Sequence, residues 1–300
     1  MITHENVKSY ENMEKGRKKG LKLNKCPVCG KPSVTIEGTN HCLYCGRTWD
    51  DKVVETPAIK RMVQLNNNQR VMEQAHENLL NNIDGSLDYC KNRGINMHTI
   101  EKWKLGYAPK NFRLLPIIYH ERVLFPIQSN DGEHVIAFGG RKISYDDERC
   151  KYLNSKASLV YNKSESLYGY HLVPDDADTV YLCEGYVDVL SMDAKGFHYP
   201  VASLGTALTE EQAVLIRKKA KRVVIAYDAD EAGQKNALRA INILARAGFK
   251  TAEISILVVS DAKDVDEALQ HGCTLCEQSL LGYLLEREKY DLFVDALVNV

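Results

Sequence analysis

Apolar and polar positions change rhythm along the chain, and the change divides it into regions. From residue 178 onward, short apolar runs alternate with longer amphipathic stretches. Residues 179–183 read as a buried strand followed by a helix to about residue 195, and residues 199–203, 222–227 and 252–258 read as further strands. Residues 209–219 and 231–247 read as helices, the first with Thr209 as N-cap and Gln212 three residues on, the second closed by Gly248. Strands alternating with helices of this length predict an α/β fold, with a Rossmann-like, mainly parallel sheet and helices on its faces over residues 178–272. In such sheets reactive groups lie beyond the carboxyl ends of the strands.

The preceding regions differ. Residues 85–177 carry several short strands, among them 122–127 and 134–138, and are expected to form a mixed α+β subdomain. Residues 53–84 are polar, contain Asn66, Asn67 and Asn68, and read as a linker or helix. Residues 1–52 are punctuated by Gly and Cys around alternating runs such as Ser33-Val34-Thr35-Ile36, which predicts a small β domain. Residues 273–300 are expected to be a helical tail.

Composition narrows the class. At 300 residues, 44% hydrophobic and 26% charged, the chain is a globular protein rather than a disordered one. Its longest stretch without Lys, Arg, Asp or Glu is the fourteen residues 196–209, against about 20 apolar residues needed for a membrane span. No secretory signal is expected, because the first twenty residues are charged throughout. Nine cysteines, an odd number, argue against a secreted disulfide framework and for a cytoplasmic protein. The net charge of −1 conceals an asymmetry: residues 1–50 are net +4, whereas residues 176–300 hold 13 Lys and Arg against 20 Asp and Glu. Such a chain can grip phosphate at one end and collect cations at the other.

Two motifs carry chemistry. Cys26-Pro-Val-Cys29-Gly and Cys42-Leu-Tyr-Cys45-Gly are matched knuckles, twelve residues apart. Four thiolates in this spacing predict a zinc ribbon, one structural ion in a closed tetrahedral shell with Zn–S of about 2.3 Å. His41 is read as a surface or hydrogen-bonding residue, Cys273 and Cys276 as an incidental pair, and Cys90, Cys150 and Cys183 as ordinary thiols. The second motif is acidic. Glu184-Gly-Tyr-Val-Asp188, Asp228-Ala-Asp230 and Asp264-Val-Asp266 follow the first, third and fourth strands of the parallel sheet. One Asp-x-Asp is common at turns and N-caps, but three acidic groups at strand ends point to hard divalent cations, Mg²⁺ or Mn²⁺. Two such ions suit in-line phosphoryl displacement.

At these residues the sequence resembles the Toprim domain shared by DnaG-type primases, type IA and type II topoisomerases and some nucleases. Val201-Ala-Ser-Leu-Gly-Thr206 resembles the primase version. Upstream, Leu105-Gly-Tyr-Ala-Pro109, Arg122-Val-Leu-Phe-Pro-Ile127, Ala137-Phe-Gly-Gly-Arg141, Lys151-Tyr-Leu-Asn-Ser155, Asn162-Lys163 and Leu167-Tyr-Gly169 resemble the same family, so the likeness runs over about residues 20–272. It implies a DNA primase, a DNA-dependent RNA polymerase making short primers on single-stranded DNA from ribonucleoside triphosphates by two-metal nucleotidyl transfer. It implies that Glu184, Asp228, Asp230, Asp264 and Asp266 hold magnesium, with Asp188 in the same motif. It further implies that Arg141 and Lys151 line a template groove and that Lys163 lies near the nucleotide. The zinc domain is expected to recognise the initiation site, with Tyr44 and Trp49 either stacking on bases or packing around the small zinc core.

Four cysteines stand where many cellular primases have three and a histidine, and Ala229 replaces a common glycine; the layout looks phage-like. No phosphate-binding loop of a fused motor is present in the sequence, so a separate helicase is expected as partner. A Toprim nuclease and a passive single-strand binder are the rival readings. A topoisomerase-like cleaver, the other form of the first, would need a nucleophilic tyrosine on a further domain, for which little length is expected, and the second leaves the acidic set without a purpose.

Overall fold

The computed structural model describes residues 23–26, 30–36, 39–42, 48–50, 57–144, 148–204 and 207–285, in two compact units, residues 1–67 and 68–300. In the first unit, β1 (Leu23–Lys25), β2 (Pro32–Ile36), β3 (Thr39–Cys42) and β4 (Thr48–Asp50) pair antiparallel in chain order. After β1 the chain turns tightly. The Cys26 N–H donates to the Lys31 carbonyl (2.8 Å) and the Gly30 N–H to the Cys26 carbonyl (2.9 Å). Gly30 takes a left-handed φ of +68° there, a conformation that glycine adopts without a Cβ penalty. Cys29, Tyr44 and Cys45 lie outside the described residues, as do Gly205 and Thr206.

Residues 57–80 form helix α1 (Pro57–Leu80), so the polar segment is helical. Val71, Met72, Ala75 and Leu79 make its buried stripe at the spacing of one helix face. Val71, Met72 and Ala75 pack in one cluster with Ala108, Leu124 and Phe138. Asn68 donates to the carbonyls of Val135 (3.1 Å) and Ile136 (2.9 Å), which gives one residue of the asparagine run a structural task. Helices α2 (Ser86–Asn92) and α3 (Met97–Lys102) follow, then an antiparallel sheet β5-β6-β7-β8 made of Gly106–Ala108, Arg122–Gln128, Val135–Lys142 and Tyr152–Asn154.

The second sheet of this unit contains β9 (Ala177–Cys183), β10 (Pro200–Ala202), β11 (Ala220–Ala226), β12 (Ile254–Val259) and β13 (Leu275–Ser279) in the order β10-β9-β11-β12-β13. The first four are parallel and β13 is antiparallel to β12. A strand at residues 275–279 replaces part of the helical tail expected from residue 273, and only Leu280–Leu285 beyond it is helical among the described residues. Helices α4 (Tyr186–Ala194), α5 (Glu210–Lys219), α6 (Glu231–Arg246) and α7 (Val265–His271) connect the strands.

Alternation along the strands sorts side chains to the two faces. Val180, Leu182, Val223, Ile225, Ile254 and Ile256 pack with Ile216 of α5 and Ile241 and Leu244 of α6. Cys183, Val224, Ala226 and Leu257 point the other way, toward Val189, Leu190 and Met192 of α4. Each such fully buried aliphatic contributes about 1.5–3 kcal/mol, so both sheet faces are firmly held. The antiparallel sheet joins the second cluster through Tyr186, whose ring stacks on Phe125 at 4.7 Å. Gly139 makes room for it: a Cβ there would lie 2.4 Å from the Tyr186 ring. Among the described residues no helix is long and apolar enough to cross a membrane.

Candidate active site

The strand order fixes where chemistry can happen. The chain runs from β9 to its neighbour β10, then returns across β9 to β11. The crevice beyond the carboxyl ends of β9 and β11 is therefore the topological switch point of the sheet. Cys183 and Ala226 are paired in register at these ends, and Glu184 and Asp228 follow them by one and two residues.

Helix starts orient the remaining acids. Asp230 caps α6, accepting from the Gly233 N–H at 2.8 Å, and Asp264 caps α7, accepting from the Glu267 N–H at 2.8 Å. Asp188, in the first turn of α4, accepts from the Gly185 N–H at 3.1 Å. The Ala229 N–H donates to the Lys263 carbonyl at 2.7 Å, which ties the loop after β11 to the one after β12.

Electrostatics show that these carboxylates share one neighbourhood. Burial, then Asp228, pushes the Glu184 carboxyl up to about 7, against the pull of the Asp228 N–H and Asn236. Burial, then Asp228, Asp264 and Asp266, pushes Asp188 up to about 8. Burial, then Asp264 and Asp230, pushes Asp228 up to about 6, opposed by Lys263 and Lys151. Like charges in a desolvated crevice resist ionisation together. Among the described residues no three of them form a closed cage ready for an ion. Glu184 Oε1 is nevertheless buried with no hydrogen-bond partner, and an unpaired buried carboxylate oxygen is costly unless a cation or proton meets it. That atom and the oxygen-rich set fit a hard divalent cation.

Asp266 stands apart. It is buried at 4% exposure, and both oxygens are occupied, one by the Ser191 hydroxyl and the other in an ion pair with Arg93.

The basic residues also separate. Arg141, on β7, is buried and held by two phenols, donating to Tyr89 Oη at 2.7 Å and to Tyr152 Oη, with its guanidinium 5.2 Å from the Tyr152 ring. Lys151 lies 5.6 Å from the same ring. Burial, then Arg141, Lys263 and Arg93, lowers its ammonium, with Asp264 opposing. Lys151 therefore borders the acidic set. Lys163 does not: it starts a short 3-10 turn whose backbone carbonyl accepts from Gln212, and burial alone lowers its ammonium. Sequence reasoning assigned no role to Arg93, Lys263, Tyr89 or Tyr152. Lys263 had a signal, because it adjoins Asp264; Arg93, 173 residues from its carboxylate partner, had none.

Comparison with known proteins agrees with this fold. Residues 116–174 match the family described as the N-terminal domain of the DNA primase catalytic core, and residues 181–269 match the Toprim-like family. Over 208 residues the chain is 38% identical to a DNA primase of Clostridium acetobutylicum, covering 60% of this chain and 34% of the relative. Over 230 residues it is 34% identical to that of Aquifex aeolicus, covering 67% and 45%. The chain thus spans between a third and a half of the length of these curated relatives. Among solved structures it is similar to the zinc-binding and RNA polymerase domains of the Aquifex aeolicus primase, with a TM-score of 0.62 and 26% identity over 90% of this chain and 83% of that one. It is also similar to a DnaG catalytic domain bound to single-stranded DNA, with a TM-score of 0.59 and 25% identity over 75% and 85%.

Proposed function

We propose that this chain, which carries a DnaG-type primase core over residues 116–269, synthesises short RNA primers on single-stranded DNA from ribonucleoside triphosphates. The observation that carries the reading is the acidic set at the sheet's switch point, with the partnerless Glu184 oxygen inside it and Lys151 at its border.

Glu184, Asp228, Asp230 and Asp264 are the side chains to hold the divalent ions, with Asp188 beside them. Bound there, Mg²⁺ or Mn²⁺ supplies charge neutralisation for phosphate oxygens and eases deprotonation of a hydroxyl. The chain's own part is positioning. Its N-caps pin Asp230 and Asp264, and the backbone bond from Ala229 to Lys263 sets the separation of their loops. A primer 3′-hydroxyl attacks the α-phosphorus of the incoming nucleotide, the bond to the β-phosphate breaks, and pyrophosphate leaves. Fixed charge and orientation are the main levers available to such a reaction.

Arg141 and Lys151 are assigned to the template backbone. The two tyrosines that hold Arg141 leave guanidinium N–H groups for a phosphate, and Lys151 adds an exposed charge. Lys163 is kept as a nucleotide contact on family likeness alone. For the first unit we propose a zinc ribbon held by Cys26, Cys29, Cys42 and Cys45. Buried Cys26 and Cys42 and the tight turn at Gly30 support it. A separate replicative helicase is the proposed partner.

The test is a reaction with single-stranded template, ribonucleotides and Mg²⁺, read as short RNA products. Asp228→Ala should abolish synthesis and leave template binding largely intact. Template cutting without RNA product would support a nuclease, and binding with neither product a passive module.

A further inference from the structure

The acidic residues of the site are not equivalent. Asp266 lies two residues beyond the Asp264 cap on α7, yet its side chain turns away from solvent. The Ser191 hydroxyl of α4 donates to Oδ1, and Arg93, in the loop after α2, closes on Oδ2. All three side chains are largely enclosed, Arg93 at 18% exposure and Asp266 at 6%, with Ser191 buried. A carboxylate accepting a hydroxyl and a guanidinium in a dry setting is already neutralised and has its best lone pairs filled.

Resting on the reading above, we infer that Asp266 is not a metal ligand but the anchor of a strut. In that strut Arg93 is a positioning residue that fixes α7, and so Asp264, against α4. Geometry shows what the strut joins. Helix α4 begins just after Glu184 and carries Asp188, whereas α7 carries Asp264, so the Ser191–Asp266 bond spans the two acid-bearing helices. Arg93 extends the connection to the basic side. Its guanidinium lies 6.0 Å from the Tyr89 ring, Tyr89 accepts from Arg141, and Arg141 and Lys151 both lie over Tyr152. A continuous chain of contacts thus runs from the acids to the groups assigned to the template.

The charge arithmetic is specific. With Arg93 present, Asp266 adds no net charge to the crevice. Removal of Arg93 frees a carboxylate beside Asp188 and Asp264, so the site gains a negative charge and loses alignment. Arg93→Ala should therefore bind divalent cations more tightly, by at least about tenfold for one added charge beside the site at an effective dielectric near 20, while primer synthesis slows. A purely structural role would loosen cation binding or leave it unchanged.

The experiment is Mn²⁺ titration of the full chain, followed by electron paramagnetic resonance of the free ion, with primer synthesis measured in parallel. Asp266→Asn should keep the wild-type Mn²⁺ stoichiometry, with affinity lowered by the unpaired Arg93, whereas Asp264→Asn should lose a site. Arg93→Ala should bind Mn²⁺ more tightly, and Arg93→Ala with Asp266→Asn should return to the wild-type affinity. Arg93→Lys, which keeps the charge, should bind Mn²⁺ like the wild type. Loss of Mn²⁺ sites in Asp266→Asn comparable to that in Asp264→Asn would overturn the inference, as would unchanged Mn²⁺ affinity in Arg93→Ala. Asp266→Asn decides the question even if removal of Arg93 unfolds the protein. Absence of RNA synthesis by the wild type would instead count against the primase reading, because Mn²⁺ binding is read independently of synthesis.

Discussion

Replacing Gly233 by alanine probes how tightly the fold holds Asp228. Gly233 is the third residue of α6, and it approaches the loop it follows: an added Cβ would lie 2.2 Å from the Asp228 carbonyl oxygen, 2.8 Å from its carbonyl carbon and 2.9 Å from its Cβ. All three neighbours belong to Asp228 itself, so no flexible side chain can yield. Relief requires either Asp228 or the helix start to move by about 1 Å to regain contact distance, and a misplacement of that size can cost about 10²-fold in rate. Stability should change much less. Overpacking costs about 1–3 kcal/mol, but alanine is favoured over glycine inside a helix by about 1 kcal/mol. Gly233 has no positive φ to lose. The expected Gly233→Ala protein is folded, melts within a few degrees of the parent, binds template normally and makes primers about a hundredfold more slowly. Melting curves, template binding by anisotropy and RNA product per minute measure the three effects. Primer synthesis at the parental rate in a folded variant would refute the claim that Asp228 must hold its present position.

Protonation gives a second expectation. Glu184, Asp188 and Asp228 are raised to about 7, 8 and 6, so between pH 4 and 8 the folded state holds more protons than the unfolded chain, and stability falls as pH rises through that window. The Mg²⁺-free protein should melt higher at pH 5.5 than at pH 8, added Mg²⁺ should raise the melting temperature more at pH 8, and Asp188→Asn should flatten the difference. A Mg²⁺-free melting temperature that rises from pH 5.5 to 8 would contradict this electrostatic account. For the basic side, Lys151→Ala should weaken template binding alike for all sequences and reduce the slope of log affinity against log salt by about 0.7. Arg141→Lys should cost more than its charge suggests, because an ammonium does not reproduce the planar fork that reaches Tyr89 and Tyr152 from separate nitrogens; equal salt slopes in Lys151→Ala and the parent would remove Lys151 from the template path.

What the sequence disclosed depended on how strongly each element advertised itself. The parallel strands are apolar runs buried on both faces, and they are found within two or three residues of expectation. Thr209 and Gln212 form the anticipated capping box, reciprocal bonds at 3.2 and 3.1 Å, and α6 ends at Arg246, two residues before Gly248. Strand β13 escaped notice for the opposite reason. Its Leu-Cys-Glu-Gln-Ser run lies at the sheet edge, with three of five side chains exposed, and offers no periodicity. Cys276 sits within it and Cys273 just before it, one exposed and one half-buried. Likewise, three-residue strands such as β5 and β8 are too short to show a pattern. Side-chain pairings distant in sequence left no local trace at all, which is why Asp266 is grouped with the other acids by its motif and separated from them by its contacts.

Asp230 and Asp264 sharpen this point, because aspartate at a helix start has an ordinary explanation. Both side chains do cap their helices, so the ordinary explanation holds, and it does not compete with the catalytic one. A capping bond engages one carboxylate oxygen and fixes the side-chain rotamer, and the second oxygen of Asp264 lies 3.6 Å from the Lys263 ammonium. Capping therefore restricts the side chains in advance of any ion, with the helix terminus compensating part of their negative charge. Glu184 and Asp228, which cap nothing, depend instead on the paired strand ends at Cys183 and Ala226 and on the glycine contact beneath Asp228. Two separate means of fixing a carboxylate, helix start and strand end, thus meet at a single crevice. On this reasoning Asp264→Asn, which retains a capping oxygen but loses charge, should keep the start of α7 intact and still impair primer synthesis. Loss of α7, seen as rapid amide exchange at Glu267, would show instead that the cap itself requires the ionised side chain.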